Sequence, residues 1–94
     1  MYHRLTRVKH DPSEFEAIID HFALLLPPQL DEITGLNSFQ VLRTSTSEII
    51  IVAIFDDMIC ASMASAWDDD IYGSLEPMMR APPQTDEGEV VFQC

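Results

Sequence analysis

The chain has 94 residues, which is room for one domain over residues 1–94 and for no second. Hydrophobic residues make up 47% of it and charged residues 22%, the balance of a globular chain rather than a disordered one. Sixteen acids against five bases give a net charge of −11, and so acidic a surface repels phosphates and anionic lipid, which excludes nucleic acid and membrane as expected partners.

Residues 2–9 alternate and carry Tyr, Leu, Thr and Val, so they read as a first strand. Asp11-Pro12-Ser13-Glu14 is a helix start: Asp11 can cap, Pro12 fits the first turn, and Glu14 and Glu16 suit the helix dipole. Phe15, Ile18, Ile19, Phe22, Leu25 and Leu26 then follow the spacing of one buried helix face. Pro27-Pro28 breaks that helix, residues 29–33 can add a turn or two, and Gly35 stops the element as a C′ glycine does. A second strand is predicted over Ser38 to Thr44, and the polar run Thr44-Ser45-Thr46-Ser47 is a hairpin loop.

The next strand, Glu48 to Phe55, has no polar side. Ile49, Ile51, Ala53 and Phe55 point to one face of a sheet, and Ile50, Val52 and Ile54 to the other. Both faces must leave water, whereas a small antiparallel sheet normally wets one. A second copy of the chain is the expected cover.

Asp56-Asp57 caps a second helix whose buried side is predicted as Ile59, Cys60, Met63, Ala66 and Trp67. Asp68-Asp69-Asp70 is read as interrupting it and capping a further short helix through Ser74, with Leu75, Met78 and Met79 adding apolar contacts. Residues 81–88 are a loop by composition, and Glu89 to Cys94 is the predicted closing strand. The order β-α-β-β-α-β is the ferredoxin-like arrangement, an α+β fold with a four-stranded antiparallel sheet and its helices on one face. The bare face, apolar along the third strand, marks an interface.

Cys60 reads as a small buried hydrophobe and Cys94 is the last residue; with no CxxC and no Cys/His spacing of a ligand set, reduced thiols and a cytoplasmic location are expected. No apolar core follows the basic residue in Met1–Leu5, so no signal peptide is expected there. Gly35, Gly73 and Gly88 are the three glycines, too few and too scattered for a phosphate loop, and no G-x-S-x-G occurs.

Three stretches carry a family resemblance. Residues 35–43, Gly-Leu-Asn-Ser-Phe-Gln-Val-Leu-Arg, resemble the turn from helix one into strand two in the antibiotic biosynthesis monooxygenase-like group of the dimeric α+β barrel superfamily. Residues 51–57 are similar to that group's strand three running into helix two, and Asp69-Asp70-Ile71-Tyr72 to its acid-apolar-aromatic segment late in helix two. The resemblance implies a homodimer whose two sheets form a barrel, with a pocket in each subunit between sheet and helices. Members include cofactor-free oxygenases acting on polycyclic phenols, haem-degrading enzymes and isomerases, and fold alone does not choose among them. The haem-degrading members use an Asn, a Trp and a His, whose positions fall near Thr6, Ala64 and Glu76. None matches, and Trp67 stands three residues from the Trp position, so haem degradation is disfavoured and no cofactor is expected.

Basic residues are scarce enough for their placement to matter. Arg4 and Arg43 lie on the first two strands and could hold an anionic substrate such as a phenolate; the alternative is ion pairing at strand edges or at a dimer rim. His21 beside the apolar stripe of helix one, or Glu76, could move a proton; the alternative for His21 is an exposed helix residue. Trp67 and Tyr72, with Phe55, could line an aromatic pocket in which Thr6 also faces the ligand, or could be plain core. Asp68-Asp69-Asp70 with Glu76 invites a metal, but three consecutive acids do not converge as Ca²⁺ requires, and capping and solubility explain them better; no metal is expected. Two functions stay open: a small cofactor-independent enzyme acting on a hydrophobic or phenolic molecule, and a non-catalytic ligand-binding or structural homodimer.

Overall fold

A computed structural model describes residues 1–26 and 30–94, so the predicted break at Pro27-Pro28 and the restart at Gln29 lie outside the described residues. The elements are β1 (Tyr2–Lys9), a 3₁₀ turn (Pro12–Glu14), α1 (Phe15–Leu25), β2 (Leu36–Ser45), β3 (Glu48–Phe55), α2 (Met58–Met63), α3 (Ser65–Leu75), a second 3₁₀ turn (Glu76–Met78) and β4 (Gln84–Glu89). The sheet runs β2-β3-β1-β4, and each neighbouring pair is antiparallel. This is the ferredoxin-like β-α-β-β-α-β arrangement expected from the element order.

Local chemistry fixes the ends of these elements. The Asp11 carboxylate accepts the Ser13 N–H at 3.0 Å and starts the first turn ahead of α1. Asp57 does the same for α2, accepting the Cys60 N–H at 2.9 Å, while Asp56 instead accepts from the Asn37 side chain. Gly35 sits at φ +78°, in the left-handed region, and a Cβ there would stand 2.8 Å from the Cys60 Cβ. Its carbonyl accepts the Asp56 N–H at 2.8 Å, tying the start of β2 to the end of β3. Only glycine satisfies both the conformation and the close approach.

The register divides the apolar strand cleanly. Tyr2, Arg4, Thr6 and Val8 of β1 lie opposite Phe55, Ala53, Ile51 and Ile49 of β3, and these eight face the helices. Ile50, Val52 and Ile54 share the open face with Leu5. Inside, Ile18, Phe22 and Leu26 pack with Val8, Ile49, Ile51, Ile71 and Leu75. A second cluster joins Tyr2, Ala53 and Phe55 to Ala61 and Ala64.

Four expectations need correction. Ile59 and Met63 are exposed and Ala66 faces out; the residues that α2 and α3 bury are Ala61, Ala64, Asp68, Ile71 and Leu75. Tyr2 and Phe55 rise from the sheet at that point, and small alanines are what fit above them. The helical break falls at Ala64 (φ −84°, ψ 0°), four residues before the acids, and α3 runs through Asp68-Asp69-Asp70 without interruption. The closing strand is Gln84–Glu89, all of it but Glu89 inside the predicted loop, whereas residues 90–94 lie beyond it with Val91 and Phe92 exposed. Pairing rather than hydropathy sets that register: Glu87 lies opposite Arg4 and Thr85 opposite Thr6, partners the Val90–Phe92 run does not offer. Within α1, Leu25 is also partly exposed rather than buried.

Candidate functional site

The inner row of β1 puts a guanidinium under the helices. Arg4 is buried, and each of its three side-chain nitrogens finds an acceptor: Nε donates to Glu87 Oε2 at 2.8 Å, Nη2 to the Ala61 carbonyl at 2.9 Å, and Nη1 to the Asp68 carboxylate. Its carbon stands 5.3 Å from the centre of the Phe55 ring. The Tyr2 hydroxyl donates to the other Glu87 oxygen at 2.9 Å. Burial works against the Arg4 charge, but Glu87 and Asp68 together hold its pKa above the ordinary value. Burial pushes Asp68 up despite Arg4, while the Arg4 hydrogen bond pulls the less buried Glu87 down. One strand, one helix and the edge strand are thereby joined by charge-assisted hydrogen bonds.

Next along the same row, Thr6 Oγ1 lies 3.2 Å from Thr85 Oγ1. Burial raises the Tyr72 phenol to about 12, so it stays protonated at neutral pH. Tyr72 forms part of the wall of two depressions. The smaller, of about 230 Å³, lies over the ion-paired cluster and adds Ser62, Ser65 and Asp69. The larger, of about 470 Å³, is lined by Tyr72, Gly73, Glu76, Met79, Arg80 and the run Ala81-Pro82-Pro83. Arg80 pairs with the Asp11 carboxylate, and its N–H donates to the Lys9 carbonyl at 2.9 Å, which pins this side of the cleft to the end of β1.

The structure therefore brings Arg4, Thr6, Tyr72 and Glu76 to one side of the molecule and leaves the other candidates apart. Arg4 is committed to two carboxylates and offers no free charge to an anion. Arg43 lies over the Phe15 ring at 3.8 Å and is not in the cleft wall. His21 Nε2 is 2.8 Å from Ser74 Oγ, a contact between α1 and α3 outside the cleft. Trp67 packs edge-on to Phe39 at 5.9 Å against both core clusters. Asp68, read in the sequence as a helix cap, is instead the buried partner of Arg4, and Glu87 and Arg80 carry no reading there. The helical phase Ala64, Asp68, Ile71 marks Asp68 as inward-facing, and an inward Arg4 calls for an acid opposite it. Arg80 carries no such signal. Among the described residues no group of three or more His, Cys, Asp or Glu side chains is placed to hold a metal ion, and no helix is long and apolar enough to cross a membrane.

No protein-family model matches the chain, and no curated protein matches it in sequence. Solved structures do match in shape. A dimeric ferredoxin-like protein from an uncultured marine organism superposes with a TM-score of 0.83 at 12% identity, over 99% of this chain and 90% of that one. A candidate antibiotic biosynthesis monooxygenase from Caulobacter crescentus gives 0.80 at 14% identity, over 97% and 90%. A variant of SnoaB, a cofactor-independent oxygenase from Streptomyces nogalater, gives 0.72 at 14% identity, over 98% and 94%. At such identities the likeness speaks for the fold alone. The chain has the fold shared by antibiotic biosynthesis monooxygenase-like and dimeric ferredoxin-like proteins.

Proposed function

We propose that this protein is a homodimeric, cofactor-independent enzyme acting on a hydrophobic, phenol-like small molecule held in the cleft beside Tyr72. The observation that carries the reading is the composition of that cleft: about 470 Å³ walled by Met79, Ala81, Pro82 and Pro83, with polar groups only at Tyr72, Glu76 and Arg80. A flat apolar body fits such walls, and a few polar groups orient it. Glu76 is the group to accept the phenolic proton, and Arg80 the cation nearest the resulting phenolate. Tyr72, protonated up to about pH 12, serves as ring surface rather than as base.

Two features support the homodimer. Leu5 and Leu42 stand 42% and 48% exposed on the open face, beside Ile50 and Ile54. The charges on that face cancel, Arg7 and Lys9 against Glu48 and Asp86, although the chain as a whole carries −11. A second copy can approach there without the repulsion its other surfaces would meet.

The test exposes the protein to a panel of naphthols and anthrones in air, with binding followed by native mass spectrometry and consumption by chromatography. Binding with turnover that Glu76→Gln abolishes is the expected result. Binding without turnover leaves a ligand-binding dimer, and no binding removes the cleft from consideration. For the dimer, sedimentation at micromolar concentration is expected to give twice the 10.6 kDa chain mass, and Leu5→Asp to give the monomer.

A further inference from the structure

The open sheet face has a dent at its β1–β4 corner. Gly88 stands opposite His3 in the ladder, and a Cβ placed on it would meet nothing within 4 Å. Around the missing side chain lies a depression of about 260 Å³ lined by His3, Leu5 and the run Asp86-Glu87-Gly88-Glu89-Val90. Just beyond, the Val90 N–H donates to the Met1 carbonyl at 2.9 Å and pairing ends. Val91 and Phe92 then stand 94% and 81% exposed. An unfilled hole beside an apolar residue and an unburied aromatic ring thus lie within five residues of each other, and the chain's own Phe92 leaves the hole empty.

We propose that Phe92 of one subunit seats in the Gly88 depression of a second copy, and the second copy's Phe92 in the first. The inference rests on the homodimer reading above. A two-fold axis forms both contacts at once, because the ring and the hole belong to the same corner of the same chain. Residues 90–94, if extended, span roughly 16 Å, about three strand spacings, which lets the tail cross onto the facing sheet. Charge permits the contact: Val91, Phe92 and Gln93 bring no side-chain charge against the rim of Asp86, Glu87 and Glu89. An aromatic ring packed on Leu5 beside the His3 ring is the kind of anchor that dominates an interface. Glycine at position 88 is then a specificity device, a strand residue kept small to receive the partner's side chain.

Sedimentation equilibrium of the full chain and of Phe92→Ala, Phe92→Leu and Gly88→Val tests this. Phe92→Ala and Gly88→Val should each raise the dimer Kd at least tenfold, Phe92→Leu should retain most of the affinity, and the double variant should be no weaker than the worse single one. Phe92 stands 81% exposed and a Cβ at 88 would meet nothing within 4 Å, so neither Phe92→Ala nor Gly88→Val should lower the thermal midpoint of dilute monomer. A dimer whose Kd ignores both substitutions overturns this inference and leaves the homodimer standing. A monomeric wild-type chain at micromolar concentration overturns both. A lowered midpoint for dilute Phe92→Ala places the ring on its own subunit and overturns the inference as well.

Discussion

The β2–β3 half of the sheet and its β1–β4 half present opposite chemistry to the same layer of helices. Over β2 and β3 the inward residues are Phe39, Val41, Ile49, Ile51, Ala53 and Phe55, with Leu36 at one end and the exposed Arg43, stacked on Phe15, at the other. Over β1 and β4 they include Arg4, Thr6, Thr85 and Glu87. The first half gains its cohesion from apolar burial, which has no direction. The second half is held by hydrogen bonds, which do: Arg4 aims at Asp68 and Glu87, and Thr6 meets Thr85. The polar half is the one next to the cleft, so the side chains whose orientation matters to a ligand are those fixed by directional contacts.

The contrast breaks most visibly at Arg4. Arg4→Ala leaves Asp68 buried beside Glu87 with no cation, and should cost about 3–5 kcal/mol of unfolding free energy in urea at pH 7. Arg4→Met combined with Asp68→Leu removes both charges and should recover most of that loss. A cost under about 1 kcal/mol for Arg4→Ala would mean that the polar half carries no more than a surface ion pair does. In the apolar half, Ile51→Ala removes a side chain that is 1% exposed and should cost about 3 kcal/mol through transfer and cavity together, with no charge rescue available.

Smaller effects follow from titration. The Arg4 hydrogen bond, aided by Tyr2 and opposed by burial, holds Glu87 below its ordinary value. A depressed acid contributes stability above its unfolded pKa, about 4.3, and that contribution is lost as pH falls through the lower folded value. Glu87→Gln should therefore flatten the acid limb of the stability curve below about pH 4.3. Asp68, raised by burial, has the opposite sign and does not add to the acid loss. Asp11 and Asp57 are also lowered, but they remain in the variant and cancel in the difference. The smallest signal is spectroscopic. Both tyrosines are raised, Tyr2 by its bond to Glu87 and Tyr72 by burial, so less than half the tyrosine absorbance change should be complete at pH 10. Tyr72→Phe should remove the step at about pH 12.

Much of this architecture was legible in residue pattern. The β1 alternation, the α1 stripe through Ile18 and Phe22 and the Asp57 cap depend on contacts a few residues apart; Gly35 was legible as a left-handed position, while its close approach to Cys60 was not. The strand Glu48–Phe55 was legible too, although whether Ile50 or Ile51 turned inward was not, because both rows are apolar. The site was less legible. Tyr72 and Glu76 came forward with Arg43, His21 and Trp67, and residue type alone could not separate a cleft wall from a stack on Phe15 or a contact with Ser74.

The sequence by itself determined the order of elements, the ends of most of them and the need to cover both faces of β3. Those follow from periodicity, capping and backbone conformation, which act locally. Only the tertiary structure decided that Arg4 would be neutralised from two elements 64 and 83 residues away, that β4 would pair as Gln84–Glu89 rather than as the more apolar run after it, and that the helix face would pass through Asp68. The physical reason is common to all three. A buried charge must be matched in three dimensions, and the cost of leaving it unmatched exceeds what a few apolar residues gain by pairing in its place.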